Sequence, residues 1–428
     1  MYREAKKVLP AGVTYAIRQF DPYPFYVVKG RGSRIWDVDN NEYLDYWIGH
    51  GALIMGHAYP PVVEAAKKQI ELGSHLGFCN EWEIKHAKQI VKMVPSAEMV
   101  RPTNSGTEAN MYAMRLARSY TGRSKVAKME GGWHGGSDIL HKGVSFPFDN
   151  PPSAGLDVMA ASNTILVPFN DIDGLTRRIK GKEKDIACFV LEPVMGGGGN
   201  IPVDLEFLKS LRELCDSIGS LLIFDEVITG FRLAPGGAQE FYKVNPDLTV
   251  LGKIVGGGAF PAGCFCGRRE IMERIDHLKY KKPERRSFHG GTYAGNPLVA
   301  RAGYTLLAEL DQKRDRIYPH LFSLGKKARE EIERIFRKND FRAYTTGEGP
   351  LLGVHFTKER PRDVRTANRT KDSKMSESYF RFLLENGIIF LSPQNAHLFI
   401  SATHNKDEID QLISKTEQFV NHNKKSSS

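Results

Sequence analysis

The sequence predicts an α/β protein built on a mostly parallel sheet. Three observations carry that prediction. Short apolar runs at 125–129, 164–167, 186–191, 220–224 and 248–251 alternate with longer helical patterns. The runs are bounded by turn residues and do not alternate in polarity, as expected of strands covered on both faces. The chain is 428 residues long, with 41% hydrophobic and 26% charged residues, enough for a large core and two or three domains.

The elements follow in order. Residues 1–44 hold a short basic helix and then a strand-turn-strand pattern, with runs at 25–30 and 34–38 around Gly30, Arg31 and Gly32. The next turn falls at Asp39, Asn40 and Asn41. A helix at 60–72 opens on Pro60 and Pro61, where proline suits a first turn. Further helices are expected near 82–94, 107–120, 171–181, 204–218 and 295–312. Beyond 312, helix and strand patterns with polar breaks predict a smaller α+β domain. Its tail, from Asn423 to the end, reads as disordered. The expected division is therefore 1–44, 45–312 and 313–428.

Composition excludes several function classes. No run approaches the ~18 apolar residues of a membrane span, and no apolar stretch follows Met1 to Lys7, so neither a membrane role nor secretion is expected. Cys79, Cys188, Cys215, Cys264 and Cys266 are too few and too irregular for a disulfide framework. Cys264 and Cys266 lack a second ligand pair, so no metal is expected, and reduced cysteines suit the cytoplasm. The net charge of +10 is spread along the chain. Its densest cluster, 279–286, reads as a solvated loop without the aromatic interleaving of a nucleic-acid platform. The excess positive charge suits anionic ligands, a phosphorylated cofactor among them.

Five segments carry chemistry. The apolar run 221–224 ends in Asp225 and Glu226, and strand ends are where open α/β sheets place ligands. Lys253 follows another buried run, beside Gly256, Gly257 and Gly258, 28 residues beyond Asp225. That spacing is about one strand-helix-strand excursion, so both groups can reach one sheet edge. An amine and a carboxylate in one cleft suit pyridoxal 5′-phosphate (PLP): the amine attaches the cofactor, and the carboxylate keeps the pyridine nitrogen protonated. Asn104, Ser105, Gly106 and Thr107 open a helix, and its free N–H groups offer a phosphate site, although a plain N-cap reads the same way. Trp133 and His134 stand between two glycine pairs, on a turn from which an indole can stack over a planar ring or enter the core. Thr292 supplies a hydroxyl in a glycine-rich loop before a helix.

As a set, these segments resemble the class III (fold type I) PLP-dependent aminotransferases, most closely the glutamate-1-semialdehyde 2,1-aminomutase group. The resemblance runs from about Ala11 to His404. It implies a large domain with a seven-stranded, mostly parallel sheet, a smaller α+β C-terminal domain, and an N-terminal segment packing with the latter. It makes Lys253 the Schiff-base lysine and proton shuttle, and Asp225 the partner of the pyridine nitrogen. Ser105, Gly106 and Thr107 would hold the phosphate, Trp133 and Val227 the two ring faces, and His134 would belong to the same cofactor shell. Thr292 would reach the phosphate of a neighbouring subunit, implying a homodimer with shared active sites.

On the substrate side, Arg18 aligns with the carboxylate-binding arginine of the mutase segment Ser-Pro-Val-Arg, and Glu192 lies near the cofactor in relatives. Two departures stand out. Gly49, His50, Gly51 and Ala52 replace Ser-Trp-Gly-Pro, and the segment 392–397 is one residue shorter and lacks a carboxylate. His50 and His397 would then line a different pocket, or serve structure alone. The stretch 145–161 resembles the mutase gating segment. The leading expectation is a ping-pong transamination of an amino acid or amino-carbonyl compound with a 2-oxo acid acceptor. The alternatives are a 2,1-aminomutase, an amino-acid racemase or epimerase, and a non-catalytic PLP-binding protein.

Overall fold

The computed structural model describes residues 1–390 and 396–425. Two compact units emerge: 60–319 with 362–369, and 1–59 with 320–361 and 370–428.

The larger unit holds the seven-stranded sheet. Its strands are β1 (Met99–Thr103), β2 (Lys125–Met129), β3 (Thr164–Val167), β4 (Ile186–Leu191), β5 (Leu221–Glu226), β6 (Leu248–Gly252) and β7 (Gly263–Gly267), in the order β1-β7-β6-β5-β4-β2-β3. β7 runs antiparallel to both β1 and β6, and every other neighbouring pair is parallel. The C-terminal ends of β1, β2, β4, β5 and β6 therefore share one edge. That edge gathers Ser105, Trp133, Glu192, Asp225 and Lys253 from distant parts of the sequence.

The lack of polar alternation has its expected cause. All six residues of β4 are buried. One face packs against helix α1 (Gly106–Thr121), where Ala109, Ala113, Leu116 and Ala117 meet Val126, Cys188, Val190 and Ile223. The other packs against helix α2 (Leu205–Ile218), where Phe207, Leu208 and Leu211 meet Ala127, Phe189, Leu222 and Phe224. Fully burying one such large side chain contributes about 1.5–3 kcal/mol, so this two-sided core holds the sheet edge rigidly.

Two strands escaped sequence reading. β7 is Gly-Cys-Phe-Cys-Gly, too rich in glycine to read as a strand. β1 contains Arg101 and Pro102, and proline is tolerated because β1 is an edge strand. β5 takes in Asp225 and Glu226 as its last two residues.

The smaller unit has a sheet of Val27–Arg31, Arg34–Asp37 and Glu42–Asp45, extended by Ile388–Ile389 in parallel with the third. A second sheet joins Ala343–Thr346, Leu351–Phe356 and Ala396–Phe399. The unit boundaries fall at 59/60 and 319/320 rather than 44/45 and 312/313. Backbone bonds explain the first shift: Tyr46 N–H donates to Ile389 (2.8 Å), Phe399 N–H to the Tyr46 carbonyl (2.8 Å), and Ala402 N–H to the Ile54 carbonyl (2.7 Å). These tie residues 46–54 to the C-terminal strands.

The expected disorder from Asn423 onward needs correction at its first three residues, because the helix Lys406–Lys425 takes in Asn423, Lys424 and Lys425. The tail residues 426–428, and the departure at Ser392 to Asn395, lie outside the described residues. Among the described residues no helix is long and apolar enough to cross a membrane.

Candidate active site

Asp225 is the most constrained residue at the sheet edge. Its Oδ2 accepts from Asn110 Nδ2 (2.8 Å) and meets His134 Nδ1 (2.7 Å), and its Oδ1 accepts from the Val227 N–H (3.0 Å). Burial pushes the His134 imidazole below its ordinary value, against the pull of the Asp225 carboxylate. A neutral ring facing a carboxylate carries its proton on Nδ1, which leaves Nε2 as an acceptor. That Nε2 is buried and has no partner among the described residues. Three bonds leave one acceptor direction of Asp225 unfilled, on Oδ1. Glu226, one residue on, points to the other face of the sheet. There it accepts from Thr229 Oγ1 (3.0 Å), Gln239 Nε2 (2.9 Å) and the Ala238 N–H, which commits it to structure.

Lys253 follows the last residue of β6 in a left-handed backbone conformation (φ 48°). Such strain persists only where the surroundings over-determine it, and it gathers at functional sites. Burial lowers the Lys253 amine from its usual 10.5 to about 8; Asp225 and Glu192 oppose the shift and Arg232 adds to it. Glu192 accepts from the Trp133 N–H (2.8 Å) and the Gly196 N–H (3.1 Å). Burial, with the Asp225 charge behind it, raises the Glu192 carboxyl from 4.5 to about 7.

At the end of β1, Ser105 caps helix α1 by accepting from the Glu108 N–H (3.2 Å). The first turn leaves the Gly106 and Thr107 N–H groups without helical partners, at the positive end of a 16-residue helix. A Cβ at Gly106 would lie 2.8 Å from Val227 Cγ2, and one at Gly135 would collide with the Thr107 hydroxyl. Both glycines keep a cradle open around Thr107 and Val227.

These residues fit PLP. A helix N-terminus suits its phosphate, an anchored carboxylate with a spare acceptor suits its pyridine nitrogen, and a lysine of lowered pKa suits its aldehyde. Among the described residues no cluster of His, Cys, Asp and Glu could hold a metal.

The remaining candidates are placed as follows. Trp133 is 43% exposed, and its ring meets His141 edge-on at 5.5 Å. Thr292 is exposed, in a loop pinned by Tyr112 Oη on the Gly290 carbonyl (2.8 Å) and by His289 Nε2 on the Pro102 carbonyl (3.0 Å). Arg18, His50 and His397 belong to the smaller unit. Arg18 is exposed and donates to Thr14 Oγ1 (2.8 Å). His50, at φ 60°, and the buried His397 both lie against Trp47, with ring centroids 4.0 and 5.8 Å away.

Sequence reasoning missed Asn110. Its signal was available: it is a polar residue on the face of α1 that otherwise presents Ala109, Ala113 and Ala117 to the core. It missed Lys128 as well, a charge inside an apolar strand.

The sequence model of the family described as Aminotransferase class-III matches residues 15–420. The glutamate-1-semialdehyde 2,1-aminomutase of Methanothermobacter thermautotrophicus is 42% identical over 421 residues, covering 98% of each chain. An omega-transaminase from Sphaerobacter thermophilus superposes with a TM-score of 0.90 at 33% identity, covering 98% of this chain and 96% of that one. A glutamate-1-semialdehyde aminomutase from Pseudomonas aeruginosa superposes at 0.88 with 26% identity, covering 98% and 93%. The strand-end lysine and carboxylate, the helix cradle and this near-complete match agree: the chain belongs to the class-III aminotransferases, PLP-dependent enzymes of fold type I.

Proposed function

We propose that this enzyme moves an amino group between adjacent carbons of one substrate, as a 2,1-aminomutase acting on glutamate-1-semialdehyde or a close relative. The observation that carries the reading is the 42% identity to a curated mutase along 98% of both chains. Bound at the sheet edge, PLP supplies an electron-accepting ring that lowers the cost of removing a proton from the substrate carbon.

The chain's own residues divide the remaining work. Asp225, held by Asn110, His134 and the Val227 N–H, keeps a negative charge at the ring nitrogen. Ser105, Gly106 and Thr107 would hold the phosphate, and Trp133 and Val227 would stand beside the ring. Lys253 attaches the cofactor. With its amine lowered to about 8, the Lys253 Nζ would be suited to taking a proton from one substrate carbon and returning it to another. Arg18 orients the substrate carboxylate through a forked pair of N–H donors. Thr292 completes the phosphate site of a second copy, in a homodimer. A cytoplasmic setting fits the unpaired cysteines, of which Cys188, Cys215, Cys264 and Cys266 are buried.

Intermolecular transamination is the second reading. The omega-transaminase is more similar in sequence than the Pseudomonas aeruginosa aminomutase, 33% against 26%, and His50 departs from the mutase pattern. Assays of glutamate-1-semialdehyde and an amino-donor panel, each with and without added 2-oxo acid, separate the two. Turnover of the semialdehyde without acceptor supports the mutase, whereas strict dependence on an acceptor overturns it in favour of transamination.

A further inference from the structure

Lys128 is a fully buried lysine in the middle of β2, and the chemistry described above does not use it. It shares a sheet face with Val126, which packs in the core beneath α1. An apolar residue of similar length would fill that space without the cost of burying an ammonium. What the charge adds is a bond: Nζ donates to the Lys142 carbonyl at 2.9 Å.

Lys142 begins the excursion 143–163, which leaves β2 and returns as β3. The Lys142 Nζ in turn donates to the Ala161 (3.3 Å) and Thr164 (3.0 Å) carbonyls on the returning limb. The outgoing limb is tied to the site's glycine turn through the Gly131 N–H and Gly143 carbonyl (2.8 Å), just before Trp133 and His134. The returning limb is solvent-facing and apolar ahead of its base, with Val158 79% and Met159 74% exposed. Two lysines thus clasp both limbs at their base, the inner one anchored in the sheet and gripping one backbone carbonyl, the outer one gripping two. Burial lowers the Lys128 amine to about 7, and the Glu192 carboxylate resists that shift. Lys128 in turn lowers His134. The clasp and the site are therefore electrostatic neighbours.

We infer that Lys128 is a positioning residue which, with Lys142, forms a two-lysine clasp fixing the base of the 143–163 excursion against the sheet edge that carries Trp133, His134 and Glu192. The clasp needs no particular substrate. Its consequence for turnover, retention of the intermediate between the two half-reactions, rests on the mutase reading above.

The test is amide hydrogen exchange on the PLP-loaded protein, comparing wild type with Lys128→Met. Exchange over 139–146 and 158–164 is expected to quicken roughly tenfold or more, the size of one lost charged hydrogen bond, with α2 unchanged. Unchanged exchange at both limbs overturns the inference, as does uniform quickening across the chain, which would mark Lys128 as a general core residue. Lys142→Met provides an independent arm if Lys128→Met fails to fold. It should loosen 158–164 while 139–143 stays protected, and an unaltered returning limb would break the clasp. Assay of carbonyl release during semialdehyde turnover separates the two ideas. Looser limbs with no added release would leave the clasp standing and remove only the retention role.

Discussion

The floor of the cofactor site and the substrate candidates of the smaller unit are built in opposite ways. At the floor, Asp225 and Lys253 sit at the ends of central strands buried on both faces, and three hydrogen bonds fix the carboxylate. In the smaller unit, Arg18 ends a 3-10 turn and stays exposed, while His50 sits in left-handed backbone between two glycines. The difference separates two tasks. On the proposed reading, chemistry common to many amino-group reactions falls to the most rigid part of the fold, and the candidates for choosing a substrate stand on irregular backbone that tolerates change. Substitutions of Lys253 or Asp225 should therefore lower turnover of every substrate, and those in the smaller unit should change which substrate is used.

The largest expected effect is at Lys253. Lys253→Ala should cost on the order of 10³-fold or more in turnover, since it removes both the attachment point and the proton carrier. Borohydride reduction followed by peptide mapping should fix the cofactor to Lys253 in the wild type and to no lysine in the variant. Labelling of another lysine would remove Lys253 from the floor. Asp225→Asn should follow, at roughly 10²-fold, because an amide keeps the shape and loses the charge at the ring nitrogen. Equal turnover in wild type and variant would show that the anchored carboxylate does not face the ring.

That ordering parallels what could be read from the sequence. Strand ends with charged residues are legible because a buried strand is a short apolar run and a charge that interrupts it stands out. Lys253 and Asp225 were found that way. Asn110 and the neutral His134 were not read as holding Asp225, because their partner lies 115 and 91 residues away. Only the sheet order brings them together. β1 and β7 were invisible for a different reason: their residues satisfy edge and antiparallel positions by backbone pairing, with few of the side chains that mark a strand. The smaller unit was the least legible, since turn conformations such as that of His50 are set by packing rather than by periodicity.

In the smaller unit the expected effects shrink and become selective. Arg18→Ala should raise KM for carboxylate-bearing substrates about tenfold to a hundredfold, the worth of a charge-assisted bidentate pair, with kcat little altered. Amines without a carboxylate should be unaffected. Identical KM ratios for both substrate classes would put Arg18 outside the site and blur the contrast between the two regions.

The smallest effect belongs to Glu192 and sharpens the floor itself. Burial holds its carboxyl at about 7 in the folded protein, whereas the unfolded chain releases that proton near 4.5. Between those values the folded state binds more protons than the unfolded one, so this group's contribution is full below about 4.5 and disappears as the pH rises through 7. Glu192→Gln keeps the shape and never ionises, so it lacks that slope. The Tm of the cofactor-free variant minus that of the wild type should therefore climb between pH 5 and 7. Removing the Glu192 charge also lets Lys128 and Lys253 fall further below their unfolded values. A lysine lowered on folding gains stability as the pH rises, so both neighbours push the difference the same way. Below pH 7 the Trp133 and Gly196 N–H groups keep a neutral oxygen acceptor in either protein, because the Glu192 carboxyl is itself protonated there. A Tm difference that stays flat from pH 5 to 8 would mean that Glu192 ionises like a surface carboxylate. The floor would then be wetter and less rigid than its hydrogen bonds imply.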